Sequence, residues 1–387
     1  MHMPEGFSAP SDLPAARRRM LLVFDGGNAP GYSSAAVALV EEGERRGYEM
    51  WAATEGFRSL TSDRVAEPAF ERLIVSRKDR YALLARGIPA RSMGRRVLDA
   101  GCDFRSERYR GFLNRERRLE AAATFREEGF THVVCVGGDG TFSAACAWTE
   151  DLPDIPIGFV NVSIDNDIAG DRAIGFMTAI EAGATIARGL LEDAYTHKRV
   201  YILEMMGNRS GRHALHCGVA ARAHVIVLPS MHFGEEVLAE MTLALQKTDY
   251  ALVVVAEGYE AERRKRETPG MSAATFLLKQ LETAGLRDAP DKRVIAEPFS
   301  RYLRGVRPQF VEVATAYLKA TLLMEAFERG RSRVMPYVLA ASDVGVRDFA
   351  DVRREDAVEA EFMTLLDRLG MPAFQRQVVE SSGKRVG

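Results

Sequence analysis

Gly137-Gly138-Asp139-Gly140-Thr141 follows the short apolar run Thr131 to Val136 and precedes Phe142 to Thr149, whose composition is helical. Strand, glycine turn and helix, in that order, bring an α/β backbone up to a phosphate. Glycines permit close approach, and the first helical turn offers N–H groups with no internal partner. Asp139 in that turn is placed to hold Mg²⁺. A second apolar run, Ile157 to Val160, leads into Ser163-Ile164-Asp165-Asn166-Asp167 and on to Phe176. Two carboxylates two residues apart beside a phosphate turn suit proton abstraction by one and metal or charge positioning by the other. Both turns end predicted strands, and open α/β sheets keep their ligands at the C-terminal ends of strands. The glycine string alone also fits kinases of dinucleotides or lipids, or a plain turn capped by Asp; the second turn decides between them.

At 387 residues the chain exceeds one ordinary domain, so two α/β lobes with a cleft between them are expected, and 47% apolar residues supply the buried sheets. A net charge of -2 gives no general attraction to nucleic acid or anionic membrane. No apolar run is long enough to span a bilayer. The opening stretch, with Pro4, Pro10 and Pro14 and no apolar core, reads as a flexible arm over 1–18. Cys102, Cys135, Cys146 and Cys217 lack metal or disulfide spacing, which fits a reducing cytoplasm.

In family order, these motifs resemble the phosphofructokinase family, whose members phosphorylate the 1-hydroxyl of fructose 6-phosphate. The resemblance runs from about Met20 to about Val338. It implies two doubly wound, Rossmann-like lobes: a donor lobe over 19–176 with 305–345, and an acceptor lobe over 177–304 with 346–387. It also implies that Asp25-Gly26-Gly27-Asn28-Ala29-Pro30-Gly31 is the first nucleotide loop, with Gly26 and Gly27 close to the donor phosphates and Asn28 replacing the family's Asp or Pro. Phe57, in Glu55-Gly56-Phe57, matches an aromatic near adenine. The family's arginine ahead of the glycine loop falls best on Arg105, with Arg108 behind it; the competing reading of this arginine-rich stretch is a solvated basic face. Gly138, Gly140 and Thr141 complete the donor contacts. Glycine at 140 leaves open the space that an Asp fills in pyrophosphate-dependent relatives, which favours ATP over pyrophosphate, while Val162 supplies neither their Lys nor the small Gly of many ATP enzymes.

By the same resemblance Asp165 is the base that takes the acceptor proton, Asp167 arranges metal and charge, and Ser163 keeps the hydroxyl of the family's Thr. Arg199 and Arg293 match arginines that reach across a subunit interface toward the acceptor phosphate, so a homodimer or homotetramer follows. Met206 and Gly207 match the sugar-contacting turn, but the arginine expected next is Asn208, with Arg209 displaced by one residue. Glu257 matches a glutamate that accepts from sugar hydroxyls. In the closing signature Arg304 keeps the phosphate-binding arginine and Arg301 stands where bacterial enzymes carry His. Val37 replaces an effector-site arginine, so allosteric control is not carried over. His213, His216 and Cys217 lie on a predicted helix and are read as packing residues, not a zinc site. Glu262 to Arg266 reads as an exposed charged turn. The expected activity is Mg²⁺- and ATP-dependent phosphorylation of fructose 6-phosphate. The alternatives are another sugar phosphate or polyol as acceptor, pyrophosphate as donor, or a ligand-binding regulator with little turnover.

Overall fold

The computed structural model describes residues 18–298, 300–340 and 342–354, together with Thr364 and Arg368. The expected arm lies outside these residues, as does nearly all of a terminal helix expected over 357–369. The chain opens with β1 (Arg19–Phe24), buried from Met20 onward as a strand covered on both faces must be. After it come α1 (Tyr32–Arg45), β2 (Glu49–Ala53), β3 (Phe70–Ile74), α2 (Arg77–Ala85) and the two-residue β4 (Arg91–Ser92). Asn114 caps α3 (Arg115–Glu127) by accepting from Glu116 N, and α3 feeds β5 (His132–Gly137), α4 (Asp139–Asp151) and β6 (Ile157–Asn161).

A long helix, α5 (Phe176–His197), opens the second sheet. It is followed by β7 (Arg199–Met205), α6 (Arg212–Ala221), β8 (Val225–Val227), α7 (Glu235–Lys247), β9 (Ala251–Ala256), α8 (Ala261–Glu267), α9 (Ala273–Thr283) and β10 (Arg293–Glu297). The chain then returns through α10 (Phe310–Glu328) to β11 (Val334–Ala340) and β12 (Asp343–Asp348). The first sheet has eight strands in the order β12-β11-β6-β5-β1-β2-β3-β4, and the second has four, β10-β7-β9-β8. The second is parallel throughout, whereas β2 with β3 and β11 with β12 are antiparallel pairs in the first. No described helix is long and apolar enough to cross a membrane.

One boundary differs from expectation. Residues 346–354, assigned to the acceptor lobe on sequence, lie on the first sheet. Two residues separate β11 from β12, so the chain doubles back and pairs at once. The segment after β12 then bridges Arg354 to Ile168 and accepts the Ala169 N–H at Arg353 O.

The returning α10 grips the segment that follows β6. Its Glu312 carboxylate accepts from Gly175 N (2.7 Å) and Thr178 N (2.9 Å), satisfying N–H groups at the start of α5. Its Lys319, fully buried, donates from Nζ to Asp171 Oδ2 (2.7 Å) and Arg172 O (2.9 Å). Asp171 also accepts from Asn161 Nδ2 and Val338 N. The stretch between Asn161 and Thr178, which holds the two-carboxylate turn, is thereby tied to α10 directly at Asp171–Thr178 and, through Asp171, at Asn161.

Candidate active site

The donor loop forms where β1 and β5 end side by side. Gly26 has φ +99°, a conformation open to glycine, and a Cβ there would lie 3.3 Å from Thr141 Oγ1. Thr141 Oγ1 lies 3.0 Å from Asp25 O and 3.2 Å from Asp25 Oδ2, closing one loop on the other. Gly138 is extended and precedes α4, so Asp139 sits in the first turn of that helix, where the macrodipole favours negative charge and an anionic ligand meets free N–H groups. Around these loops lies a cavity of about 380 Å³ lined by Gly26, Gly27, Gly138, Asp139, Gly140, Thr141, Ser163, Asp165 and Asp167. Phe57 walls its inner side, stacked on Phe112 at 4.0 Å between centroids. Val162 lines the cavity and is also buried core. A Cβ at Gly140 would meet nothing within 4 Å, so glycine there is not required sterically; it adds neither bulk nor charge to the cavity wall at that position.

The two-carboxylate turn is held from every side. Asp165 N donates to Ser163 Oγ (3.0 Å), Ser210 Oγ donates to Asp165 O (3.1 Å), and Asn166, at φ +51°, accepts Ala173 N on Oδ1 (2.8 Å). Beneath it, buried His213 bonds Ile164 O through Nε2. Burial pulls its pKa down to about 4, so the ring is neutral and Nε2 carries the donated hydrogen. That accounts for His213 without a metal. Asp165 Oδ1 is buried without a hydrogen-bond partner. Burial raises the Asp165 pKa to about 7; Asp167 and Glu257 push the same way, while Arg304 and Arg108 pull it down.

A larger cavity, about 1340 Å³, opens on the other side of Asp165 toward the second sheet. Met206, Asn208, Arg209, Glu257, Arg301 and Arg304 line it. Glu257 directly follows β9 and accepts Asn208 N–H on Oε1 at 2.6 Å; Gly207, buried at φ +123°, makes the bend before Asn208. The charged run expected as an exposed turn is α8. It stays exposed but walls this cavity, and its Arg264 is structural, donating to Tyr259 O and Met271 O. Gly27, Arg108, Asp165, Asn208 and Arg304 line both cavities. Arg304 is clasped there by Asn28: its Nη1 donates to Asn28 O (2.9 Å), and Asn28 Nδ2 donates to Arg304 O (3.0 Å).

Four sequence-predicted residues line neither cavity; Gly207 is one, serving as the buried bend before Asn208. Arg105 is exposed at φ +45°, and Arg108, three residues on, takes the place at the junction; little regular structure precedes α3, so periodicity gave no help in choosing between them. Arg199 and Arg293 are register partners at the N-terminal starts of β7 and β10. The length of β7, roughly 20 Å at 3.3 Å per residue, separates Arg199 from the cavity at the other end, and Arg199 is engaged by Asp193 and Tyr201. Asp25 was not singled out on sequence, although an acid between a buried strand and a double glycine was a usable signal. It is buried, lines the donor cavity, and burial raises its pKa to about 7.

Among the described residues no group of three or more His, Cys, Asp or Glu is arranged to hold a metal. Mg²⁺ needs less, because it binds one or two carboxylates and completes its shell with waters and phosphates. Asp139, a carboxylate in the first turn of the helix that follows the glycine loop and on the cavity wall, fits such a cation.

The family model described as Phosphofructokinase matches residues 19–327. The chain is 29% identical over 280 residues to an ATP-dependent 6-phosphofructokinase of Streptococcus suis, covering 72% of this chain and 73% of that one. It is 26% identical to an ATP-dependent 6-phosphofructokinase of Coxiella burnetii, over 86% of this chain and 95% of that protein. The crystal structure of a pyrophosphate-dependent phosphofructokinase from Marinobacter aquaeolei shares the fold, with a TM-score of 0.66 at 19% identity over 87% of this chain and 85% of that one. The chain belongs to the phosphofructokinase family, kinases that transfer a phosphoryl group to a sugar hydroxyl.

Proposed function

We propose that the protein transfers the terminal phosphoryl group of ATP to the 1-hydroxyl of fructose 6-phosphate. The observation that carries this reading is the meeting of a glycine-loop cavity and a broader cavity bearing Glu257 and Arg301 at one carboxylate with two arginines beside it, Asp165 with Arg108 and Arg304. In the proposed reaction Asp165 accepts the proton of the 1-hydroxyl as its oxygen attacks the terminal phosphorus, and ADP leaves. Its raised pKa suits a base that works near neutrality. Arg108 and Arg304 sit where negative charge spreads over the transferring oxygens, and Gly26, Gly138 and Thr141 line the path of the donor phosphates. Asp139, with Asp167 beyond it, would hold Mg²⁺, which when bound neutralises phosphate charge. Glu257, Met206 and Asn208 line the acceptor side, with Arg301 and Arg304 as its cations.

Arg199 and Arg293 support a homo-oligomer in this reading, because paired arginines at the far end of the second sheet serve a neighbouring subunit, not their own. The open space at Gly140 supports ATP over pyrophosphate as donor. The breadth of the acceptor cavity, with Arg209 on its wall, favours a second reading in which the acceptor is a larger sugar phosphate.

Phosphoryl transfer with Mg²⁺, using ATP and pyrophosphate in parallel against fructose 6-phosphate and a panel of sugar phosphates, tests both. Turnover with ATP and fructose 6-phosphate is expected. Its absence, beside efficient turnover of another acceptor, would replace the first reading by the second. A companion prediction concerns Gly27, where a Cβ would lie 2.7 Å from Arg304 Nη1. Gly27→Ala displaces only the tip of a flexible side chain, so thermal unfolding should be nearly unchanged. The KM for the phosphorylated acceptor should rise roughly tenfold, the size of one charge-assisted hydrogen bond; an unchanged KM would remove Arg304 from acceptor binding.

A further inference from the structure

Arg354 lies past the stretch matched by the family and has entered no step of the reaction above. Its Nε is 2.5 Å from Asp139 Oδ1, and its Nη2 donates to Ser143 Oγ one turn further along α4. Its backbone is fixed independently: Arg354 bridges Ile168, and Arg353 O accepts from Ala169 N at 2.9 Å, immediately after the two-carboxylate turn. The segment therefore spans the two turns of the site and sets a guanidinium on the carboxylate suited to the divalent cation. Among the described residues Arg354 makes the one ion pair recorded for Asp139.

A guanidinium has no lone pair with which to ligate a metal and is never deprotonated in a protein. One carboxylate oxygen does not hold both Nε in contact and a divalent cation without placing like charges together. We infer that Arg354 competes with the divalent cation for Asp139: it compensates the aspartate in the empty enzyme, keeps nucleotide-free affinity for metal low, and is displaced when the cation arrives with the donor. This rests on the reading of Asp139 as the residue that holds the cation.

The test is binding of Mn²⁺ alone, without nucleotide, to the full-length chain, followed by electron paramagnetic resonance of the free ion. Arg354 is more than half exposed, so Arg354→Gln is expected to fold as the parent does. It should bind Mn²⁺ about fivefold more tightly, the ratio that corresponds to removing a partly exposed ion pair of about 1 kcal/mol. The gain should vanish when Asp139→Asn is present, and Arg353→Gln, which removes a nearby charge that donates to Ala350 O, should show little of it. Unchanged Mn²⁺ affinity in Arg354→Gln, with affinity lowered by Asp139→Asn, overturns the competition and leaves Asp139 as the metal residue. A gain that persists in the Asp139→Asn background overturns the assignment of Asp139 and the competition with it.

Discussion

Asp165→Asn is expected to lower kcat by roughly 10²–10⁴-fold, the range for loss of a general base, with far smaller changes in donor affinity. The substitution keeps the shape of the side chain and the backbone bonds that hold the turn, since Ser163 and Ser210 bind the main chain of Asp165 and not its carboxyl. What it removes is the proton acceptor. The pH dependence follows with a definite sign. A base works when unprotonated, and burial beside Asp167 raises the Asp165 pKa to about 7. In the free enzyme kcat/KM for the acceptor should therefore rise with pH up to about 7 and level off above it. The residual activity of the asparagine variant should lose that acid limb. Stability moves the opposite way: a carboxyl whose pKa is raised on folding binds its proton more tightly in the folded state, so its contribution is full below the unfolded value of 3.8 and is lost as pH rises toward 7. Measuring kcat/KM and unfolding across pH 5 to 8, for the parent and Asp165→Asn, separates the two. An asparagine variant with parental kcat would dismiss Asp165 as the base.

What could be read from the sequence was what is local. Strand, glycine turn and helix at 131–149 are fixed by neighbouring residues, and their alignment beside β6 follows from the parallel order of such sheets, so Asp139, Asp165 and Asp167 come to one cavity as expected. Arg105, placed ahead of Arg108 on sequence, gives way to it in the structure, because the stretch before α3 carries no periodic signal and its path is set by contacts elsewhere, including Arg58 with Glu107. Arg354 reaches Ser143 of α4 from 211 residues away, and Lys319 reaches Asp171 from 148. No motif spans such distances. A lysine on a helix reads in sequence as a side chain that turns outward; only the fold reveals that this helix face is buried and that an aspartate waits there.

That lysine yields the second large effect. Lys319→Met leaves the Asp171 carboxylate buried without its cation, and breaking one partner of a buried pair typically destabilises by about 3–5 kcal/mol. Asp171 keeps the donors Asn161 Nδ2 at 3.0 Å and Val338 N at 2.9 Å, which soften the loss and point to the lower end of that range. Adding Asp171→Asn to the methionine variant removes the orphaned charge and should recover most of the stability, because a neutral buried pair of similar volume is tolerated about as well as the ion pair. Urea unfolding followed by the fluorescence of Trp148, buried in the first-sheet core, measures both. A loss below about 1 kcal/mol in Lys319→Met would mean that the interior relaxes or admits water around Asp171. If the double variant is stable yet slow, with the KM of each substrate near parental, the charge pair does more than hold the fold together. It sets the position of the turn that carries Asp165, since Asn161, at the end of β6 two residues before Ser163, donates to the same Asp171.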